Sequence, residues 1–149
     1  MERGVNDTQP KWQCSDGFEK ASCLYNYWFV KDQLYSARNR TDTIVLIKGP
    51  GDCWRLEEKG IHNSVALLGI NLTRTQQSII EMSRALNIVV LLDNDEAGLS
   101  ACQNIKQQLG RQFRLFFFTE KLKEGTDVGD LNTDEETAEI KSLLSLMRT

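Results

Sequence analysis

The sequence predicts an α/β fold in which a four-stranded, mainly parallel sheet carries helices on both faces. Between residues 43 and 118, four short apolar runs alternate with helical segments, and the connections between them are short. Alternation of strand and helix with short connections gives parallel strands, with the helices packed over the faces of the sheet. In sheets of this kind ligands bind outside the carboxyl ends of the strands, so functional residues are expected at that edge.

The first strand is predicted over residues 43–48 and is followed at once by the turn 49–52 and a helix through residue 59. Gly49 and Gly51 remove side chains from the turn, and Pro50 presets φ for a first helical turn. Asp52 lies where the helix dipole favours an anion. The turn lacks the Gly-x-x-x-x-Gly-Lys-Ser/Thr pattern of a P-loop, so ATP binding of that kind is not supported.

The next elements are a strand over residues 64–69, a helix over 73–86 and a strand beginning at 88. Thr73, with Gln76 three residues later, forms a capping box at the start of the helix. A helix over 96–109 ends before a glycine, and a fourth strand covers 113–118.

Two further helices are predicted outside this alternation. The first covers residues 22–38, where apolar side chains recur at broadly helical spacing. These are Phe18, Leu24, Tyr25, Trp28, Phe29 and Leu34. We expect them to pack in the core, with base stacking as the alternative role for the aromatics. The second is an amphipathic helix over 133–146, whose apolar side is expected to dock on the core.

An acidic pair follows the third strand, in the run 91–98. Asp93 and Asp95 are one alternation apart, so in an extended strand end they point to the same side and can share a hard divalent cation. The alternative is that Asp95 caps the following helix while Asp93 is solvated. An EF-hand is excluded, because Ala97 and Asn104 stand where that loop needs ligands.

Three segments together resemble the Toprim domain of DnaG-type bacterial and phage primases. They are residues 48–52, 66–73 with Gln76, and 93–98, within a resemblance that spans roughly residues 42–131. The resemblance implies a role in DNA replication through nucleotidyl transfer that depends on Mg²⁺ or Mn²⁺. It assigns Asp93 and Asp95 as metal ligands, with Asp52 assisting. Asp127 lies in a weaker match to the family's late Lys-Asp-Pro-Asp motif, and the resemblance implies that it too is a metal ligand.

The resemblance extends toward the N-terminus, where residues 10–15 and 18–20 are similar to primase segments that meet nucleic acid or nucleotide phosphate. It implies that Lys11 and Lys20 bind nucleic acid, most simply single-stranded DNA or a nucleotide. The alternative is a pair of solvated surface lysines. The corresponding division of the chain is an N-terminal helical segment over 1–41, resembling the end of the primase N-terminal lobe, and a Toprim domain with a C-terminal helix over 42–149.

Lys48 is the main departure from the family pattern. The family has Glu there, as a metal ligand or general acid/base, whereas an ammonium supplies only donors and repels a divalent ion. Lys48 can pair with the neighbouring aspartates or bind a phosphate directly. One hypothesis is therefore a primase-like enzyme with an impaired site, in which Lys48 and Asp52 occupy the catalytic positions. The other is an inactive module that binds nucleic acid or a replication protein such as a helicase.

Length and composition limit the functions that this chain can have. The chain has 149 residues and a net charge of −3, which argues mildly against a strong general DNA binder. The zinc module, the larger N-terminal lobe and the helicase-contacting region of a whole primase are not visible in it. Four scattered cysteines do not form a zinc ribbon, and without a signal peptide they fit reduced thiols in a cytoplasmic protein. No apolar run approaches membrane-spanning length.

Overall fold

The computed structural model describes residues 2–3, 12–13, 19–36, 41–119 and 134–146. Two short strands, β1 (Glu2–Arg3) and β2 (Trp12–Gln13), pair antiparallel. The main sheet contains four strands: β3 (Thr43–Ile47), β4 (Ser64–Ala66), β5 (Asn87–Val90) and β6 (Arg114–Phe117). The helices are α1 (Tyr27–Tyr35), α2 (Pro50–Glu58), α3 (Arg74–Glu81), α4 (Glu96–Leu109) and α5 (Asp134–Leu146).

The main sheet is parallel throughout, with strand order β4-β3-β5-β6. The central strands β3 and β5 are buried along their whole length, because helices cover both faces. The outer strand β6 is only partly buried. The predicted α/β fold is therefore confirmed, and in it the first and third strands of the alternation are neighbours.

Side chains alternate between two cores along the strands, as the period of two requires. Ile44, Leu46, Ile88 and Val90 face one core with residues from α1, α3 and α4. Val45, Ile47 and Val89 face the other with residues from α2 and α5. The docking of the C-terminal helix on the core is confirmed by Ile140, which is buried in this second cluster.

The helix predicted over 22–38 is shorter, because the chain before it takes another conformation. Tyr25 forms an antiparallel bridge with Ala66 of β4, donating to its carbonyl (3.0 Å) and accepting from its N–H (3.1 Å). Asn26 then turns through the left-handed region (φ 70°) and α1 starts at Tyr27. An extended residue cannot belong to a helix, so the prediction was wrong for this start.

The expected core packing of the N-terminal aromatics was also partly wrong. Leu24 and Leu34 are buried, as predicted. Trp28 is 78% exposed and Phe29 is 51% exposed, because they lie on the side of α1 that faces away from the sheet. Phe18 lies outside the described residues.

Helix α3 ends at Glu81, five residues before the predicted end. Ser83 explains the stop, since its hydroxyl donates to the carbonyl of Ile80 (2.6 Å) and accepts from the N–H of Ala85 (3.3 Å). A serine that binds nearby backbone groups competes with helical hydrogen bonds. The chain is then free to enter β5.

The described cysteines behave as packing residues. Cys53 and Cys102 are buried and Cys23 is half-buried. Burial raises the pKa of Cys53 to about 12, so its reactive thiolate is suppressed at neutral pH. Cys14 lies outside the described residues. None of the helices in the described part of the chain combines the length and the apolar character needed to cross a membrane.

Candidate functional site at the carboxyl edge of the sheet

Lys48 and Asp93 meet at the carboxyl edge of the sheet, because each follows one of the adjacent strands β3 and β5. The Nζ of Lys48 donates to Oδ2 of Asp93 at 3.0 Å. The Lys48 side chain is 51% exposed and that of Asp93 is 16% exposed. Lys48 and Asp93 are therefore neighbours, as predicted. The positive charge that replaces the family's glutamate at position 48 contacts the acidic pair through Asp93.

The hydrogen bond to Asp93 raises the pKa of Lys48 above its ordinary value of 10.5. Partial burial acts against this, while the charges of Asp93, Asp95 and Asp52 raise it further. The ammonium is thus held in its charged form at neutral pH. Because the folded-state pKa is the higher one, the stabilisation from this lysine is complete below its unfolded pKa and is lost as the pH rises through the folded value.

Asp52 is built into the turn between β3 and α2. It is 9% exposed, and its Oδ2 accepts from the backbone N–H of Gly49 at 3.2 Å. The carbonyl of Gly49 accepts in return from the N–H of Asp52 at 3.1 Å, with Pro50 at the first helical position. These reciprocal bonds fix the backbone conformation of the turn that follows Lys48. Asp52 therefore affects the site in two ways, by holding this turn and by placing a negative charge near Lys48.

Asp95 is the N-cap of α4, and its Oδ1 accepts from the N–H of Gly98 at 2.7 Å. The capping role of Asp95 is therefore confirmed, but the solvated Asp93 of that alternative was wrong, since the Asp93 side chain is 16% exposed and accepts from Lys48. A cap at this place still leaves the Asp95 carboxylate beside Lys48. Gly98 is required by space, because a Cβ there would overlap the backbone carbonyl oxygen of Asp93. The first turn of α4 is thereby pressed against the segment that carries the acidic pair.

Between these groups lies a small cleft of ≈ 20 Å³. It is lined by Lys48, Gly69, Ile70, Leu92, Asp93, Asp95, Ala97, Gly98 and Ala101. A volume of this size holds about one water-sized group. The polar lining consists of one ammonium and two carboxylates.

These residues do not fit a divalent cation as the chain stands. Mg²⁺ and Mn²⁺ prefer several oxygen ligands, yet the Asp93 Oδ2 is bound by the Lys48 ammonium. Asp95 and Asp52 each spend an oxygen on a backbone N–H. Within the described ranges, no group of three or more Asp, Glu, His or Cys side chains is arranged to hold a metal.

Lys20 is exposed and lies in a 3-10 turn, Lys20–Ser22, that is tied to the start of α3. Gln76 Nε2 donates to the carbonyl of Lys20 at 3.2 Å, and Thr73 Oγ1 donates to that of Ala21 at 2.6 Å. Because α3 begins after the carboxyl end of β4, this turn lies at the same edge of the sheet as Lys48. Lys11 and Asp127 lie outside the described residues, and their roles stay predictions.

Two supporting residues escaped the sequence analysis. Gln76 was assigned only to the capping box, which is confirmed, but its 1% exposed side chain also donates to the carbonyls of Lys20, Cys23 and Leu67. Thr119 is also 1% exposed, and its hydroxyl accepts from the N–H of Leu92 at 3.1 Å, next to Asp93. A hydroxyl directly after an apolar strand was the available signal for Thr119. No local pattern signals the three carbonyls that Gln76 reaches.

Comparison with known proteins identifies the family to which this fold belongs. A family model described as Toprim domain matches residues 42–118. A DNA primase of Synechocystis sp. is 33% identical over 111 residues, which are 72% of this chain and 17% of the primase. A DNA primase of Staphylococcus aureus is 31% identical over 129 residues, which are 84% of this chain and 20% of that protein. The chain thus spans about a fifth of the length of these relatives.

Solved structures of primases share the fold of this chain. The Aquifex aeolicus primase, covering its zinc-binding and RNA polymerase domains, superposes with a TM-score of 0.74 at 25% identity, over 95% of this chain and 34% of that one. A DnaG primase catalytic domain bound to ssDNA superposes with a TM-score of 0.72 at 20% identity, over 97% of this chain and 45% of that one. With the family model matching more than half of its residues, the chain belongs to the Toprim family, and its Toprim domain is of the DnaG primase type.

Proposed function

We propose that this chain serves DNA replication as the Toprim module of a primase-like protein, and that its metal-dependent nucleotidyl transfer is impaired by Lys48. The observation that carries the proposal is the 3.0 Å ion pair between Lys48 and Asp93. It puts a fixed single positive charge among the carboxylates that the family resemblance assigns to the metal. The division into a segment over 1–41 and a Toprim domain over 42–149 belongs to the same proposal.

The residues at the edge have distinct roles in this proposal. Asp93 and Asp95, with Asp127, are the ligands that a divalent cation would use, and such a cation would neutralise phosphate charge and orient the attacking hydroxyl. Lys48 competes for the Asp93 oxygen. Its half-exposed ammonium can also donate to a phosphate oxygen. Such a contact binds the phosphate, but an ammonium carries one positive charge where a divalent cation carries two.

Metal binding tests this proposal. In Lys48→Glu the repulsive ammonium is replaced by a ligand, so Mn²⁺ or Mg²⁺ affinity measured by calorimetry should rise. The expected gain is on the order of 1 to 4 kcal/mol at surface-like dielectric, or roughly 5-fold to several hundred-fold. Lys48→Gln is the matched control, because it removes the charge without adding a carboxylate, and its affinity should be intermediate. Equal affinities in all three proteins would contradict the proposal.

A second candidate function is favoured by the exposure of Lys48. A module with a blocked metal site can still bind single-stranded DNA or a nucleotide through Lys48, Lys20 and Lys11. A fold relative is a DnaG catalytic domain solved bound to ssDNA. A replication protein such as a helicase is the alternative partner.

The salt dependence of binding tests this second candidate. A variant that combines Lys11→Ala, Lys20→Ala and Lys48→Ala should bind labelled single strands more weakly, and the loss of affinity should be the same for every strand sequence. The slope of log affinity against log salt should fall by about 0.7 for each phosphate contact removed. Lys106→Ala, in the last turn of α4 at the opposite end of the sheet, is the control and should leave the slope unchanged. If anisotropy finds no single-strand binding at low salt, a protein partner becomes the better candidate.

A further inference from the structure

A second surface, outside the residues that line the cleft at Lys48, combines aromatic rings with cations. It consists of Trp28, Lys31 and Tyr35 on α1 and Arg84 in the connection between α3 and β5, and is called the α1 aromatic face below. The connection lies at the amino ends of the strands, since the N–H of Leu86 donates to the carbonyl of Asp42 just before β3. Arg84, and the end of α1 whose Tyr35 contacts it, therefore lie at the other end of the sheet from the candidate site. Trp28, in the first turn of α1, is not among the residues that line the cleft at Lys48.

The four side chains form one row in which rings and cations contact each other. Trp28, Lys31 and Tyr35 are three and four residues apart, so they share a side of α1. The Nζ of Lys31 is 4.7 Å from the centroid of the Trp28 ring and 5.9 Å from that of Tyr35. The guanidinium carbon of Arg84 is 4.5 Å from the Tyr35 centroid. The Tyr35 hydroxyl is 3.5 Å from the carbonyl of Met82, which ties the helix to the connection.

The rings of this face are open to solvent. Trp28 is 78% exposed and Tyr35 is 44% exposed, and beside them Met82 is 73% exposed. A tryptophan on a helix that already buries Val30 and Leu34 adds little to the core from such a position. A large exposed apolar surface next to polar groups is typical of an interaction site.

The cations of this face are available to an anion. Within the part of the chain that the structure describes, neither Lys31 nor Arg84 takes part in an ion pair. The chain as a whole carries a net charge of −3, so its overall field does not attract a polyanion. Lys31 beside both rings and Arg84 beside Tyr35 therefore form a local positive site on an acidic protein.

We propose that the α1 aromatic face binds single-stranded nucleic acid, with bases stacked on Trp28 and Tyr35 and phosphates bound by Lys31 and Arg84. Every base has a π face, so stacking on aromatic side chains tolerates any sequence, and cations beside the rings complement the backbone. Seven residues of helix separate the two rings by about 10 Å along the axis. This equals about three stacked base steps of ~3.4 Å, so both rings can engage one strand. The ligand class is that of the proposed function, but the surface is a separate one.

The test uses labelled oligothymidylate and an oligonucleotide of the same length without bases, titrated with the full chain in fluorescence anisotropy. Trp28→Ala should weaken oligothymidylate binding about 10-fold. The base-free strand should bind the unmodified chain more weakly than oligothymidylate does, and this preference should shrink in Trp28→Ala. Lys31→Gln and Arg84→Gln should each lower the salt slope.

Trp54→Ala is the matched control, because Trp54 is 51% exposed and lies on α2, outside this face. It should leave the affinity unchanged, and Trp28→Ala should keep the urea midpoint of the unmodified chain. Unchanged binding in Trp28→Ala, or an equal loss in Trp54→Ala, would overturn the proposal. A failure of the proposed function has a different signature, namely equal metal affinities in the unmodified chain, Lys48→Glu and Lys48→Gln. If the oligonucleotides do not bind and sedimentation reveals a dimer that Trp28→Ala dissociates, the face joins two copies and the proposal is wrong.

Discussion

Replacing Gly98 with alanine should lower the free energy of unfolding by about 3 kcal/mol. The added Cβ would overlap the backbone carbonyl oxygen of Asp93, and backbone cannot rotate away as a side-chain end can. Either α4 moves outward, which breaks the Asp95 cap, or the segment carrying Asp93 shifts away from Lys48. Urea unfolding followed by circular dichroism measures the loss, and the metal affinity of a Lys48→Glu background should fall with it.

Gly69 provides the control for this prediction. It lines the same cleft, but a Cβ there would meet no atom within 4 Å. Gly69→Ala should therefore change the free energy of unfolding by no more than about 0.5 to 1 kcal/mol, in the stabilising direction, since alanine restricts the unfolded chain. Similar losses in the two variants would mean that the tight contact between α4 and Asp93 is absent.

Replacing Gln76 with methionine should lower the free energy of unfolding by about 3 kcal/mol. Methionine preserves the length of the side chain but deprives the carbonyls of Lys20, Cys23 and Leu67 of their shared donor. It also removes the acceptor of the Thr73 N–H. Because two of the carbonyls belong to the segment before α1, this segment should become sensitive to protease before the sheet does, which a time course with mass spectrometry detects.

Gln77→Met is the matched control for Gln76→Met. The Gln77 amide bonds to exposed Glu81 at 2.8 Å and to the carbonyl of Gln108 at 3.4 Å. Water can replace such bonds, so the expected cost is below about 1 kcal/mol. If the two variants lost equal stability, the burial of Gln76 would not be what matters.

The parts of the fold that follow from local pattern could be predicted from the sequence. The apolar strands, the glycine turn after β3 and the capping box of α3 depend on residues within a few positions of each other. The meeting of Lys48 and Asp93 was also predictable, because parallel strands bring their carboxyl ends to one edge.

What could not be predicted depends on partners distant in sequence. The late start of α1 follows from the pairing of Tyr25 with Ala66, 41 positions away along the numbered chain. The exposure of Trp28 depends on which side of α1 meets the sheet, and an irregular apolar spacing does not determine that side. Ser83 ends α3 through side-chain bonds that compete with a helix whose pattern otherwise continues.

The bridge between Tyr25 and Ala66 has a consequence for the behaviour of the protein in solution. β4 lies at one margin of the sheet, and a bare margin offers its N–H and carbonyl groups to strands of other molecules. Both outward groups of Ala66 are already bound by Tyr25. One extended residue, supplied by the segment before α1, thus blocks strand addition at the carboxyl end of β4. The short segment that holds Lys20 at the edge of the sheet near Lys48 thus also occupies a position where another strand would pair.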